Sequence, residues 1–494
     1  VEKSNTEEIR QVLKFIAKGY KVPKSIYDVV FDVAIREIEE KGKIVLSKRD
    51  PNTESGRIQA QFVKIIDGVS ISIHPSSVGP YGADFDGDTL AIYAPISEEA
   101  QKEARDRMVT ATSKTGINKP NFEISKEMLL GLFTLTADPR RKTLPKKIKN
   151  IEQAEQENIT QLVDMVFKGS KRRTTAGRII FNNELPKEFE FVDEEITKKV
   201  VDNILSKILA KSSDMFGKTI NKLMLLGFKY ATIEPKTFSL DQMELPDTLI
   251  ELKQQLGKAK TLSDQMEIEH QMEIELLKHL KKTDNDLYYA VKSGASKGIS
   301  QLRQVMVAKG VIADPMGNPL PPITDSFNDG YSPQNYFDAA SGARKGVIDR
   351  ALNTAQGGYT YRKMIYILSD VEADLKVKDC GTKSTLNIKL TKPMFNRMPG
   401  RYTLNDKGII TKISEKMIGQ KIKLRSPVFC RNKKICRTCY GDLIKQITSP
   451  NVGIIAAQEV GSLAEKIMKC GVGLINKNKK LISMDDIWEE KDKL

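Results

Sequence analysis

Asp84, Asp86 and Asp88 stand at alternate positions around Gly87 in the stretch Tyr81-Gly-Ala-Asp-Phe-Asp-Gly-Asp-Thr89, with apolar runs from Val69 to Val78 and from Leu90 to Ala94 on either side. Carboxylates held this close between two strands repel one another unless a hard cation neutralises them. The segment therefore folds either as an acidic turn open to water or as a metal site. Oxygen-only ligation with room left for water and substrate phosphate suits Mg²⁺, as used in phosphoryl or nucleotidyl transfer. A calcium loop of the EF-hand kind needs Gly at its sixth position and Glu at its twelfth. Counted from Asp84 those are Thr89 and Pro95, which excludes it.

The surrounding pattern supplies a frame for that loop. Ile9, Val12, Leu13 and Ile16, then Val29, Val30, Val33 and Ile38, recur at helical spacing and predict packing helices. From Ile44 to Ala94 short β-rich runs cut by Pro and Gly predict a small barrel. Ser97 is placed to cap a helix from Glu98 to Met108, and a second helix is expected from Ile124 to Phe133. Leu249, Leu252 and Leu256, followed by Met266, Met272, Leu276 and Leu280, predict two packed helices with Gly257 between them. His270 and His279 lack ligand partners at metal spacing and read as solvated, and the basic stretch Arg140 to Lys149 reads as a linker.

At 494 residues the chain can hold about three domains. Its 79 Lys and Arg against 64 Asp and Glu give a net charge of +15, which makes a polyanionic partner plausible. With no run of 18 apolar residues and no signal-peptide pattern, a soluble protein without a membrane partner is expected. Val1 at the first position places the true start upstream or marks processing.

Five cysteines in so long a chain do not make a disulfide scaffold, and a reducing cytoplasm fits. Cys380, then Cys430, Cys436 and Cys439, give a lone thiol, a five-residue gap and a Cys-x-x-Cys. Four thiolates can close a tetrahedral zinc site, and nearby Lys and Arg help keep them deprotonated; unrelated free thiols are the other reading. Cys470 falls outside the set.

The segment from Gly82 to Pro95 resembles the Asn-Ala-Asp-Phe-Asp-Gly-Asp signature of the β′ (largest) subunit of multisubunit DNA-directed RNA polymerases. Arg49-Asp-Pro51, Ile58-Gln-Ala60 and His74-Pro75 match the residues that precede it there, in the same order. Thr174-Thr-Ala-Gly-Arg178 and Ser293-Gly-Ala-Ser-Lys-Gly298 are similar to the family's pore and secondary-channel text, where Lys297 takes over a charge the family places one residue earlier as Arg. Ser341-Gly-Ala-Arg-Lys-Gly346, Ala351-Leu-Asn-Thr-Ala355, Gly357, Gly358 and Arg362 resemble the bridge helix, which at 1.5 Å per residue spans roughly 50 Å. Glycine costs about 1 kcal/mol inside a helix, which suits one that bends. The four cysteines match a zinc site after that helix, and Val452 to Gly461 looks like the start of the trigger loop. The text then departs to Ser462-Leu-Ala-Glu-Lys-Ile-Met-Lys469, with no His after residue 279, so the family's proton-donating His has no counterpart.

The resemblance implies an α+β fold: a double-psi β-barrel carrying the catalytic loop, followed by mostly helical pore, bridge-helix and zinc-binding segments. Its segments are residues 1–96 (helices and barrel), 97–290 (pore), 291–336 (secondary channel), 337–375 (bridge helix), 376–450 (zinc module) and 451–494 (trigger-loop start). It implies Mg²⁺ at Asp84, Asp86 and Asp88 and Zn²⁺ at the four cysteines. Arg49, Lys297 and Met468 are expected at the incoming nucleotide, and Arg344, Lys345, Thr354 and Ala355 at the template. Where the family has Asn to read the ribose 2′-hydroxyl, this chain has Gly82. Implied partners are the remainder of β′ in trans, a β-like subunit, a promoter-specificity factor, DNA template, RNA product and nucleoside triphosphates. The split subunit resembles those of large-bacteriophage polymerases, which act in the host cytoplasm. Two other readings stay open: a two-barrel RNA-dependent RNA polymerase, and a zinc-stapled nucleic-acid-binding scaffold without catalysis.

Overall fold

The computed structural model describes residues 11–470 apart from 22, 51–56, 67, 110–113, 116–118, 139–143, 297, 375, 399, 406–407, 446 and 448; the side chains at 25, 27, 114, 115, 119, 120 and 462–470 also lie outside the description. The described residues form two compact units, one up to Lys114 and one from Thr115 onward.

In the first unit, helix Lys24–Lys41 stops at Gly42, whose left-handed backbone (φ 57°) closes the last turn and turns the chain into strand β1, Ile44–Lys48. β1 is the centre of a three-stranded antiparallel sheet between β2, Ile58–Phe62, and β3, Ala91–Tyr93, with Leu46 opposite both Ala60 and Tyr93. Ile44 and Ala60 meet Ala104 and Val109 in a small core. Helix Glu98–Arg107, capped by Ser97 as its sequence predicts, belongs to this unit. The reason is Gln101, whose buried amide donates to the Ile44 and Pro95 carbonyls (2.9 and 2.8 Å) and accepts from the Ile44 amide (2.9 Å). A boundary drawn at residue 96 separates this helix from the sheet whose backbone groups it satisfies.

The second unit is mostly helical. Ile124, Leu129, Leu132, Ile179, Phe181, Leu205, Phe216 and Leu223 form its largest core. Helices Lys126–Thr136 and Ser213–Ile233 touch backbone to backbone there, since a Cβ on Gly131 would lie 1.8 Å from the Gly227 carbonyl oxygen and one on Gly227 2.2 Å from that of Met128. Lys146 and Lys147 pair with strand Leu162–Phe167, so part of the stretch expected as a linker is sheet. Helices Asp247–Lys258 and Leu262–Lys282 bury Leu249, Leu256, Met272, Leu276 and Leu280, as their periodicity predicts, with Leu252 partly buried; Met266, expected in the same stripe, is exposed, and Gly257 sits in the last turn of the first helix rather than between them.

Helix Pro333–Leu368 runs 36 residues without a break through Gly346, Gly357 and Gly358, about 54 Å at 1.5 Å per residue. Ser332 caps its start, and the Asp325 carboxylate accepts from the Ser332 amide (3.0 Å) and the Asn335 side chain (2.7 Å). Helix Val452–Cys470 packs along its far half. A Cβ on Gly453 would lie 2.0 Å from the Leu368 carbonyl oxygen, and one on Gly461 1.9 Å from the Tyr361 ring. Between these helices a four-stranded sheet (386–389, 421–424, 402–404 and 410–412, in spatial order) adjoins a two-stranded parallel ladder that joins 373–374 to 435–436.

Two expectations follow for stability. Ala favours a helix over Gly by about 1 kcal/mol, yet overpacking costs about 1–3 kcal/mol, so Gly227→Ala lowers Tm; unchanged or raised Tm contradicts the close approach. The Asn335 amide and the Ser332 N–H hold the Asp325 carboxyl below its ordinary 3.8, so its contribution is complete above that value and is lost as pH falls through the lowered folded value. Hydrogen exchange at the Ser332, Asn335 and Tyr336 amides should therefore quicken below about pH 4 beyond its intrinsic pH dependence, and Asp325→Ala should show the same excess exchange at neutral pH.

Candidate metal centres

The acidic loop is held from below by Tyr81. Its ring is fully buried, and its hydroxyl lies 2.6 Å from Ser47 Oγ on β1 and accepts from the Gln61 amide on β2 (3.2 Å). His74 Nδ1 accepts the Ser76 N–H at 3.2 Å and starts the two short turns that deliver Tyr81. Gly82 then reverses the chain in left-handed conformation (φ 61°, ψ 33°), and Gly87 (φ 123°) turns it again between Asp86 and Asp88.

Two arginines fasten the turn. Arg49 donates to the Gly82 carbonyl (2.6 Å) and to Asp88 Oδ1 (2.8 Å), while Asp88 Oδ2 accepts the Asp84 N–H (3.0 Å). Arg57 donates to the Tyr81 carbonyl (3.1 Å), and its guanidinium fills the place of a side chain at 82: a Cβ there would be 2.7 Å from Nη1. Closed in this way, the loop brings carboxylate oxygens of Asp84, Asp86 and Asp88 within 4.8 Å of one another, with Asp84 and Asp86 exposed.

The three carboxylates are not equivalent. A hydrogen bond with Asp84 and that residue's charge push the Asp86 carboxyl above the usual carboxylate range. The Arg49 hydrogen bond, helped by the Asp84 N–H, holds Asp88 below it. Crowded carboxylates with an open outer face are a donor set that fits a hard divalent ion carrying water or phosphate on its remaining positions.

In the second unit the Sγ atoms of Cys380, Cys430, Cys436 and Cys439 also lie within 4.8 Å of one another. The Cys380 to Cys439 separation of 3.7 Å is close to the edge of about 3.8 Å that four sulfurs make around zinc at 2.3 Å. The Cys436 N–H points at Cys430 Sγ (3.4 Å), and Thr438 holds the Lys378 carbonyl through both its N–H (3.0 Å) and its hydroxyl (2.7 Å). Burial raises the Cys380 thiol, but backbone N–H groups of Arg431 and Thr382 outweigh it and bring it to about 6; burial pushes Cys436 and Cys439 up. The set fits zinc by donor type and by spacing.

The other expected site residues are placed unevenly. Lys297 and the side chain of Met468 lie outside the described residues. Arg344 and Ala355 are exposed on the long helix, whereas Lys345 pairs with Asp349 one turn on (3.0 Å), so its charge is shared within the helix. The Thr354 hydroxyl donates to the Arg350 carbonyl. Arg362 donates to the Tyr366 hydroxyl (3.1 Å). Sequence reasoning missed Tyr81, Arg57 and Arg425, whose partners are distant in the chain; the lone signal was Tyr81 standing directly before the glycine of the motif.

Comparison with known proteins agrees with the loop and the long helix. The family model for RNA polymerase Rpb1, domain 2, matches residues 4–110, and that for RNA polymerase Rpb1, domain 5, matches residues 330–464. The chain is 28% identical to the DNA-directed RNA polymerase subunit beta' of Caldanaerobacter subterraneus, over 93% of this chain and 45% of that protein. It is 29% identical to the subunit of the same name from Dehalococcoides mccartyi (88% and 38% covered) and to that from Clostridioides difficile (89% and 44%). It thus spans less than half the length of these curated relatives. Domains and relatives together support a β′-type subunit.

The cysteine cluster is tested by zinc content. Cys436→Ser should lose bound zinc, measured by metal analysis after dialysis, while Cys470→Ser retains it; equal retention by both contradicts the site.

Proposed function

We propose that this chain is a catalytic β′-type part of a DNA-dependent RNA polymerase, a nucleotidyltransferase that extends RNA from nucleoside triphosphates on a DNA template. The observation that carries this reading is the gathering of Asp84, Asp86 and Asp88 on a turn pinned to a β-sheet, inside a segment that matches an Rpb1 domain. Mg²⁺ held by these carboxylates would lower the pKa of the RNA 3′-hydroxyl and neutralise charge on the transferred phosphate.

The chain's own residues perform the positioning. Tyr81, Ser47 and Gln61 fix the base of the loop, and Arg49 holds Asp88 ionised and keeps a guanidinium at its edge, where it would meet the nucleotide. The first unit is the part of a double-psi barrel that carries the loop, β1 to β3 being the strands described here. The long helix acts as the bridge helix, with Arg344, Thr354 and Ala355 toward the template and Lys345 sharing its charge with Asp349. Lys297 and Met468 are assigned to the substrate by likeness alone. Zinc at the four cysteines staples 373–380 to 430–439 and takes no part in chemistry.

A β-like subunit, a specificity factor and the other regions of β′ complete the enzyme, which we read as a large-bacteriophage polymerase acting in the host cytoplasm. No helix among the described residues is long and apolar enough to cross a membrane. The RNA-dependent and scaffold readings draw no support from the relatives, which are β′ subunits.

Asp86→Ala in the assembled complex separates enzyme from scaffold. Metal stabilisation of several kcal/mol corresponds to a loss of RNA synthesis on the order of 10³-fold or more, with DNA binding kept. Synthesis at the unsubstituted rate overturns the proposal.

A further inference from the structure

Among the described residues Arg425 is the largest fully buried side chain, only 1% exposed, and it lies against the cysteine cluster. It directly follows strand Lys421–Leu424, and its backbone is fixed by the Tyr402 carbonyl, which accepts its N–H (2.9 Å), and by Arg401, whose guanidinium donates to its carbonyl (3.0 Å). From there one terminal nitrogen, Nη2, reaches Asp379 Oδ1 at 2.6 Å, Cys439 Sγ at 3.3 Å and Cys380 Sγ at 3.5 Å. These partners come from two separate segments, one on each side of the gap that the cysteines bridge.

A charged group in a dry interior is costly unless its partners are well placed, and an apolar residue of similar volume is usually as good for stability alone. A guanidinium shared between one carboxylate and two sulfurs is better explained by what the sulfurs do. Outer-shell donors of this kind orient metal ligands and govern how tightly the metal is held. Asp379, next to Cys380 in the chain, orients the guanidinium through Nη2, and the same nitrogen lies against the sulfurs of Cys380 and Cys439 and limits the directions they can take.

We infer that Arg425 is a positioning residue of the cysteine cluster: with Asp379 it holds Cys380 and Cys439 in place as ligands of the metal and slows the metal's escape. This rests on the reading of the cluster as a zinc site. Four thiolates around a divalent ion carry an excess of two negative charges, and the N–H···S contacts draw part of that charge off two of the sulfurs. Lysine carries its charge on a shorter, flexible stem with no rigid plane to hold a donor nitrogen at one point between carboxylate and sulfurs.

The test is zinc transfer from the assembled complex to a chromophoric chelator at neutral pH, after zinc in the unsubstituted complex has been counted. Arg425→Lys and Arg425→Met should release zinc about 10–100-fold faster, and Asp379→Asn should do so by a smaller factor. Arg303→Lys is the control for loss of a buried arginine, since that side chain pairs with Glu269 and Glu273 and should leave release unchanged. Should Arg425→Met fail to fold, Arg425→Lys and Asp379→Asn still decide. Release at the unsubstituted rate in Arg425→Lys overturns the inference, as does equal acceleration in Arg303→Lys. Absence of zinc from the unsubstituted complex instead sinks the zinc reading beneath it.

Discussion

Mutual repulsion among three carboxylates is the force this chain must restrain. Left to itself the turn from Asp84 to Asp88 would open toward water. It is kept closed by two anchors of opposite character: a buried tyrosine hydroxyl seated between Ser47 and Gln61, and a half-buried arginine that spans Asp88 and the Gly82 carbonyl. Sheet, turn and ion pair thus keep three carboxylates close together, and Asp84 raises the Asp86 carboxyl while Arg49 lowers that of Asp88.

The second unit uses a different economy of contacts. Its long helix buries only Gly357 among the described residues, while Val347, Leu352 and Tyr359 stand exposed. A helix apolar and charged on all sides suits cover by other chains or by nucleic acid more than life in bulk solvent. Where it is covered, at Gly453 and Gly461, the neighbouring helix approaches so closely that any side chain would collide. The cysteine cluster adjoins strands 373–374 and 435–436, which pair in a parallel ladder and share a small core with Val452 at the start of the neighbouring helix.

Patterns that repeat over a few residues were legible in the sequence: the alternating aspartates, the Cys-x-x-Cys, the Leu and Met stripe of 249–280, and the Ser97 cap. Groups whose meaning depends on a distant partner were not. Gln101 looks like any helix surface residue until its amide is seen serving Ile44, 57 positions earlier. Gly131 and Gly227 carry no sign that they face one another, and Arg425 reads as one more basic residue until it is found buried against two sulfurs. The Lys345 to Asp349 pair was readable at its four-residue spacing.

Catalysis by this chain requires an ion held by the three aspartates. Replacing Mg²⁺ with Mn²⁺ in the assembled complex and locating it by anomalous scattering measures this directly. A Mn²⁺ peak about 2.1–2.2 Å from carboxylate oxygens of Asp84, Asp86 and Asp88 is the predicted result. Density for the loop with no peak among those oxygens, while Mn²⁺ is found elsewhere in an active complex, would contradict it.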